Sequence, residues 1–133
     1  MKKGYISNIE QETVENTDFR RVLYTGQFSQ LVLMSLKPGE DIGEEIHELD
    51  QFLRVEAGTG VAKLGEAEHS VTDGTAIVVP AGTTHNITNT GEVPLKLYTI
   101  YSPPEHLDGT VRATKAEAEA PENEEHFDGV TSE

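Results

Sequence analysis

The sequence predicts an all-β domain, a small antiparallel barrel or sandwich, and three observations carry that prediction. Between Arg21 and Tyr101, apolar and polar residues alternate and β-branched side chains are frequent, the pattern of strands with one buried face. Turn formers recur at short intervals, at Pro38-Gly39, Gly58-Thr59-Gly60, Asp73-Gly74, Ala81-Gly82 and Thr90-Gly91. Helical periodicity is scarce. The only stretch that supports a helix runs from Thr114 to Ala120 and is stopped by Pro121.

Taken in order, the predicted strands are "RVLYTG", "SQLVLMSLKPG", "QFLRVEAG", "GVAKLG", "EHSVTDG", "TAIVVPAG", "HNITNTG" and "PLKLYTIYS". "AEAEHSVTDG" has a helix-like composition, but Asp73-Gly74 and its polar alternation make it a hairpin arm. Short strands separated by Gly and Pro close into a sandwich or barrel, an architecture that carries no function by itself.

Composition bounds the rest. A chain of 133 residues fits one domain with one core. We divide it into an N-terminal segment (1–20), a barrel (21–103) and a C-terminal arm with an acidic tail (104–133). From Lys115 to Glu133 seven acids face one lysine, which reads as a solvated tail or a loosely docked arm. Net charge is −14, and the basic doublets Lys2-Lys3 and Arg20-Arg21 are too short to form a groove, so nucleic acid is a poor partner. No apolar run suits a membrane or a secretory leader, and a soluble, cytoplasmic protein is the expectation. Absence of cysteine removes disulfides and thiolate metal sites.

The chemistry sits in two stretches. In an extended "EEIHELDQFLRVEAG", residues two apart share a face, which puts Glu45, His47 and Gln51 together. His85 enters from a second strand, delivered by the bend that Pro80 and Gly82 shape. Two imidazoles and one carboxylate are the ligand set of a facial triad, and an amide oxygen can make a fourth ligand. Such a set suits Mn, Fe, Ni, Co or Zn. Weighed singly, each residue is more often surface or satisfied polar structure than ligand; the spacing is what joins them.

That spacing resembles the two motifs of the cupin superfamily. Gly39, five residues, Glu45, one residue, His47, three residues, Gln51, six residues and Gly58 keep every interval of the first motif. Gly74, Pro80, Gly82, His85 and Asn89 match all five positions of the second. The resemblance covers about Arg21 to Pro103 and implies a cupin-type double-stranded β-helix (jelly-roll) barrel, with a divalent metal held by Glu45, His47, Gln51 and His85. The chain departs from the family at two ligand positions. Glu45 stands where the family has histidine, and Gln51 where it has glutamate. One carboxylate is kept, merely moved across the site, so the formal charge of the loaded centre is unchanged.

Other residues yield weaker expectations. Tyr98 and Tyr101 have opposite parity, so at most one faces the interior. Phe52 and Arg54 point outward if Gln51 points in, and an exposed aromatic–arginine pair there predicts a homodimer; folding of Met1–Asn16 back over Phe52 is the competing arrangement. His106 is expected on a surface loop, and His69 and His126 carry no pattern. No Arg or Lys cluster advertises a phosphate pocket.

For function, the resemblance implies a metal-dependent, isomerase-like protein acting on a small oxygenated metabolite, such as a sugar or a hydroxy or keto acid. Fe(II) dioxygenase chemistry and a non-catalytic small-ligand module are the alternatives. No catalytic acid or base beyond the ligands is identifiable.

Overall fold

In the computed structural model, which describes residues 2–133, all eight predicted strands form. They are β1 (Arg20–Thr25), β2 (Gln30–Leu36), β3 (Asp50–Ala57), β4 (Thr59–Leu64), β5 (Ala67–Thr72), β6 (Ala76–Val79), β7 (His85–Asn89) and β8 (Leu95–Ser102). A short ninth, β9 (Val111–Arg112), pairs with β1 at the edge of the larger sheet. The order is β6-β3-β8-β2-β1-β9 in one sheet and β5-β4-β7 in the other. Neighbouring strands are antiparallel, as a hairpin-rich sequence requires.

Alternation decides what fills the space between the sheets. Val32, Met34, Leu53, Val55, Leu95 and Leu97 point inward from the large sheet and meet Ala62, Val71 and Ile87 from the small one. At Gly60 β4 runs so close to β7 that a Cβ would lie 2.4 Å from the Thr88 carbonyl oxygen, so only glycine fits. β2 is buried on both faces, and Leu33, which points away from this core, is still only 2% exposed.

Its cover is a helix absent from the sequence reading. α1 (Ile9–Glu15) lies against β2, β3 and β8 on the outer face of the large sheet. Asn8 caps it, its side chain accepting from the Gln11 backbone N–H at 3.1 Å. An Asn followed three residues later by Gln is the available sequence signal. Seven residues are too few to hold a helix in water by propensity, so α1 depends on the sheet beneath it. The N-terminal segment thus folds back onto the barrel, and Phe52 is half-buried beside Tyr98, with ring centroids 6.2 Å apart.

The second helix, α2 (Lys115–Glu119), stands where predicted, capped by Thr114. The acidic stretch around it is a docked arm and not a solvated tail. Lys115 pairs with Asp41, the Phe127 N–H donates to the Glu105 carbonyl, and the Ser132 N–H donates to the Thr25 carbonyl. Many acids and few apolar residues misrepresent this segment, because backbone and charge contacts dock it in place of a packed face.

Candidate metal centre and its cavity

Glu45 and His47 lie in an irregular segment just before β3, not on a regular strand as expected. Their convergence on His85 comes instead from a two-way clamp. The Glu45 N–H donates to the His85 carbonyl and the His85 N–H donates to the Glu45 carbonyl, both at 2.9 Å. Residues paired in this way face the same side. Two residues on, the His47 carbonyl accepts from the Gly82 N–H at 2.7 Å. Gly82 sits at φ +84°, and the Thr83 N–H closes the bend onto the Pro80 carbonyl at 3.1 Å. Nothing crowds a Cβ at Gly82, so its requirement is the left-handed backbone alone. Pro80 opens the turn as the acceptor and does not occupy its central position.

Ligand atoms of Glu45, His47 and His85 all lie within 4.8 Å of one another, a cluster able to hold a metal ion. The two rings are tilted at 50° with centroids 5.4 Å apart. His85 is prepared for the role. Its Nδ1 is 2.9 Å from the Thr83 carbonyl oxygen, which only a protonated Nδ1 can satisfy, so in the neutral ring it is Nε2 that carries the lone pair. That Nε2 is buried and has no partner. His47 Nε2 lies 2.8 Å from Glu45 Oε2, and this hydrogen bond holds the His47 pKa above its ordinary value despite burial. A cation and that shared proton compete for the same two atoms. The donor set therefore fits a divalent ion of the Mn, Fe, Ni, Co and Zn group.

Gln51 points into the barrel and is 3% exposed. Its amide nitrogen donates to Thr99 Oγ1 at 3.0 Å, which leaves its Oε1 buried without a partner. An amide oxygen left in that state has acceptor capacity to offer.

Above the cluster lies a cavity of about 400 Å³ whose far wall comes from outside the predicted barrel. The loop after β8 brings Glu105 and His106 to it. Gln30, itself buried, pins that loop: Oε1 accepts from the Glu105 and His106 N–H groups at 3.3 and 3.0 Å, and Nε2 donates to the His106 carbonyl at 2.8 Å. His106 is not a surface histidine. Burial, with the Arg20 charge nearby, pulls its pKa down to about 3, and its Nε2 is unpartnered. Tyr101 is the inward member of the tyrosine pair, edge-on to both His47 and His106, with burial raising the pKa of its phenol. Glu105 stands 3.9 Å from His47 Nδ1 and 3.3 Å from His126 Nδ1, so His126 does have a place at the rim.

Arg20 and Arg112 also line this cavity, two arginines from distant parts of the chain where the sequence shows no basic cluster. The doublet Arg20-Arg21 straddles β1, one residue in and one out. Strand parity was the signal that separates them.

The family model described as the cupin domain matches residues 32–101. YrkC of Bacillus subtilis is 52% identical over 128 residues, covering 91% of this chain and 69% of its own. A protein of Acanthamoeba polyphaga mimivirus is 49% identical, over 80% of this chain and 70% of its own. The crystal structure of BH2720 from Bacillus halodurans superposes with a TM-score of 0.87 at 53% identity, covering 89% of this chain and 95% of that one.

Proposed function

The chain belongs to the cupin family, and from that premise we propose that it works through one divalent ion held by Glu45, His47 and His85, acting on a small oxygenated metabolite. The observation that carries this reading is the orientation of His85, whose unpartnered Nε2 shares ligand distance with a carboxylate and a second imidazole. The ion would supply Lewis-acid chemistry, polarising a carbonyl or hydroxyl oxygen of the metabolite. The chain does the rest. Gln51 offers its free amide oxygen as a fourth ligand or as an acceptor for a metabolite hydroxyl. Tyr101 backs His47 edge-on, and His106, kept neutral by its surroundings, holds a hydrogen-bonding nitrogen at the cavity wall. These roles suit isomerisation of a sugar or of a hydroxy or keto acid.

Two imidazoles and one carboxylate also support a second reading, Fe(II)-dependent oxygenation. Elemental analysis of purified protein separates the readings. We expect about one equivalent of Mn, Ni, Co or Zn per chain for the first reading and of Fe for the second, with Glu45→Ala lowering either at least tenfold. A wild type that holds no divalent ion at neutral pH contradicts both and leaves a non-catalytic ligand-binding barrel. A homodimer through the outer face of β3, where Arg54 is exposed, is a further part of this proposal. Sedimentation of wild type and Phe52→Asp checks it.

A further inference from the structure

We propose that Arg20 forms an anion subsite beside the metal centre, and that the metabolite therefore carries a carboxylate. The inference rests on the reading that this cavity takes a small oxygenated metabolite, and it adds the charge of that molecule. Arg20 opens β1 and enters the cavity, whereas Arg21 turns outward and pairs with Asp18 at 3.3 Å. The other basic side chains nearby in the cavity wall have acidic neighbours. Arg112 Nη2 lies 3.7 Å from Glu125, and His126 Nδ1 lies 3.3 Å from Glu105. Among the described residues Arg20 has no ion pair and no side-chain hydrogen bond, and its Nε is buried without a partner. Its guanidinium lies 5.4 Å from the centre of the Phe19 ring.

This is a costly arrangement for a chain with 24 acidic and 10 basic residues. A carboxylate to neutralise a half-buried arginine is the easiest partner for such a sequence to supply, and leaving one out of reach costs stability. Of the glutamates in the cavity wall, Glu45 belongs to the ligand cluster, Glu105 lies between His47 and His126, and Glu125 pairs with Arg112. Glu124 lies 3.9 Å from His126 Nε2, and none of them, Glu119 included, forms an ion pair with Arg20. Arg20 lines the same cavity as Glu45, His47 and His106, so it faces the ligand cluster across one shared space. A guanidinium presents parallel N–H donors that match a carboxylate. A phosphate dianion fits less well, because it would also face Glu105, Glu119 and Glu124 in the same wall. A hydroxy or keto acid answers both halves of the cavity, with its carboxylate on Arg20 and its adjacent oxygen toward the ligand cluster. A neutral sugar leaves Arg20 unanswered.

Glycolate, its neutral counterpart glycolamide, and inorganic phosphate are the probes, titrated into wild type and Arg20→Gln, each metal-free and Zn²⁺-loaded. Calorimetry gives affinity, and nitrogen-15 spectra report the Arg20 Nε–H. Wild type should bind glycolate about tenfold or more tightly than glycolamide, and Arg20→Gln should reduce that preference to about threefold or less. Zn²⁺ affinity of Arg20→Gln should stay within about threefold of wild type, which separates loss of this subsite from loss of the centre. Glycolate, but not glycolamide, should move the Arg20 Nε–H signal of wild type, and this readout decides the matter if Arg20→Gln does not fold. Equal binding of glycolate and glycolamide, a preference that survives Arg20→Gln, or tighter binding of phosphate than of glycolate would each overturn the proposal. A wild type that binds no Zn²⁺ yet selects glycolate through Arg20 would sink the metal reading and sustain this one.

Discussion

The two ends of strand β7 treat buried polar groups in opposite ways. At its far end Asn89, buried, uses its whole amide: Nδ2 donates to the Leu36 and Val93 carbonyls and Oδ1 accepts from the Gly91 N–H, each at 2.9 Å. At its near end stands His85, and there Nε2 of His85, Oε1 of Gln51, Nε2 of His106 and Nε of Arg20 are all buried without a partner. One five-residue strand thus joins a corner whose polar atoms are satisfied internally to a mouth whose polar atoms are held open. An unpaired buried group costs free energy that a folded protein normally avoids, and four of them occur here, two on cavity-lining residues (Arg20 and His106) and one on a member of the ligand cluster (His85).

The comparison breaks first at Asn89. Asn89→Ala removes three hydrogen bonds and strands two carbonyls and an N–H, so denaturant unfolding should show a loss of about 3 kcal/mol. Divalent-ion affinity of the folded variant should change less than about threefold, because the corner is remote in role from the mouth. A large loss of affinity with unchanged stability would reverse the two assignments.

The next effect is acid instability from His106. Its folded pKa of about 3 lies below the ordinary 6.5, so as pH falls the unfolded chain takes up the proton first. The stabilising contribution is therefore whole above pH 6.5 and drains as pH drops toward 3. The slope should reach up to about 1.4 kcal/mol per pH unit, and His106→Gln should flatten it. An identical acid limb in the variant would mean that His106 is solvated.

The smallest effect belongs to Gln51. Gln51→Leu loses the bond to Thr99 but also removes an orphaned amide oxygen, and the two offset. Metal-free stability should stay within about 1 kcal/mol of wild type. A loss as large as that of Asn89→Ala would show that the mouth, too, is built for stability.

Much of this contrast was legible in the sequence, and the remainder was hidden for physical reasons. All eight strands and the cluster of Glu45, His47 and His85 could be placed, because alternation, glycine turns and motif spacing are local signals. The mode of convergence could not. Glu45 and His47 reach His85 through a backbone clamp that depends on Gly82 donating to the His47 carbonyl, a contact between segments far apart in the chain. The cavity's second wall was invisible for a related reason. Glu105 and His106 sit in an ordinary loop until Gln30 binds its backbone, and Arg20 looks like half of a surface doublet until β1 turns it inward. Helix α1 escaped because only Thr13 of it is buried, too little for an amphipathic pattern.

The central claim is that the open mouth of β7 is a metal centre, and His85 tests it most directly. Wild type and His85→Ala should be unfolded by denaturant with and without Zn²⁺, at about a hundred times the wild-type dissociation constant. Zn²⁺ should stabilise wild type by about 2.7 kcal/mol and leave His85→Ala unmoved, while the two metal-free proteins differ by much less. Equal stabilisation of both proteins by Zn²⁺ would contradict the account, since the ion would then be bound somewhere that His85 does not reach.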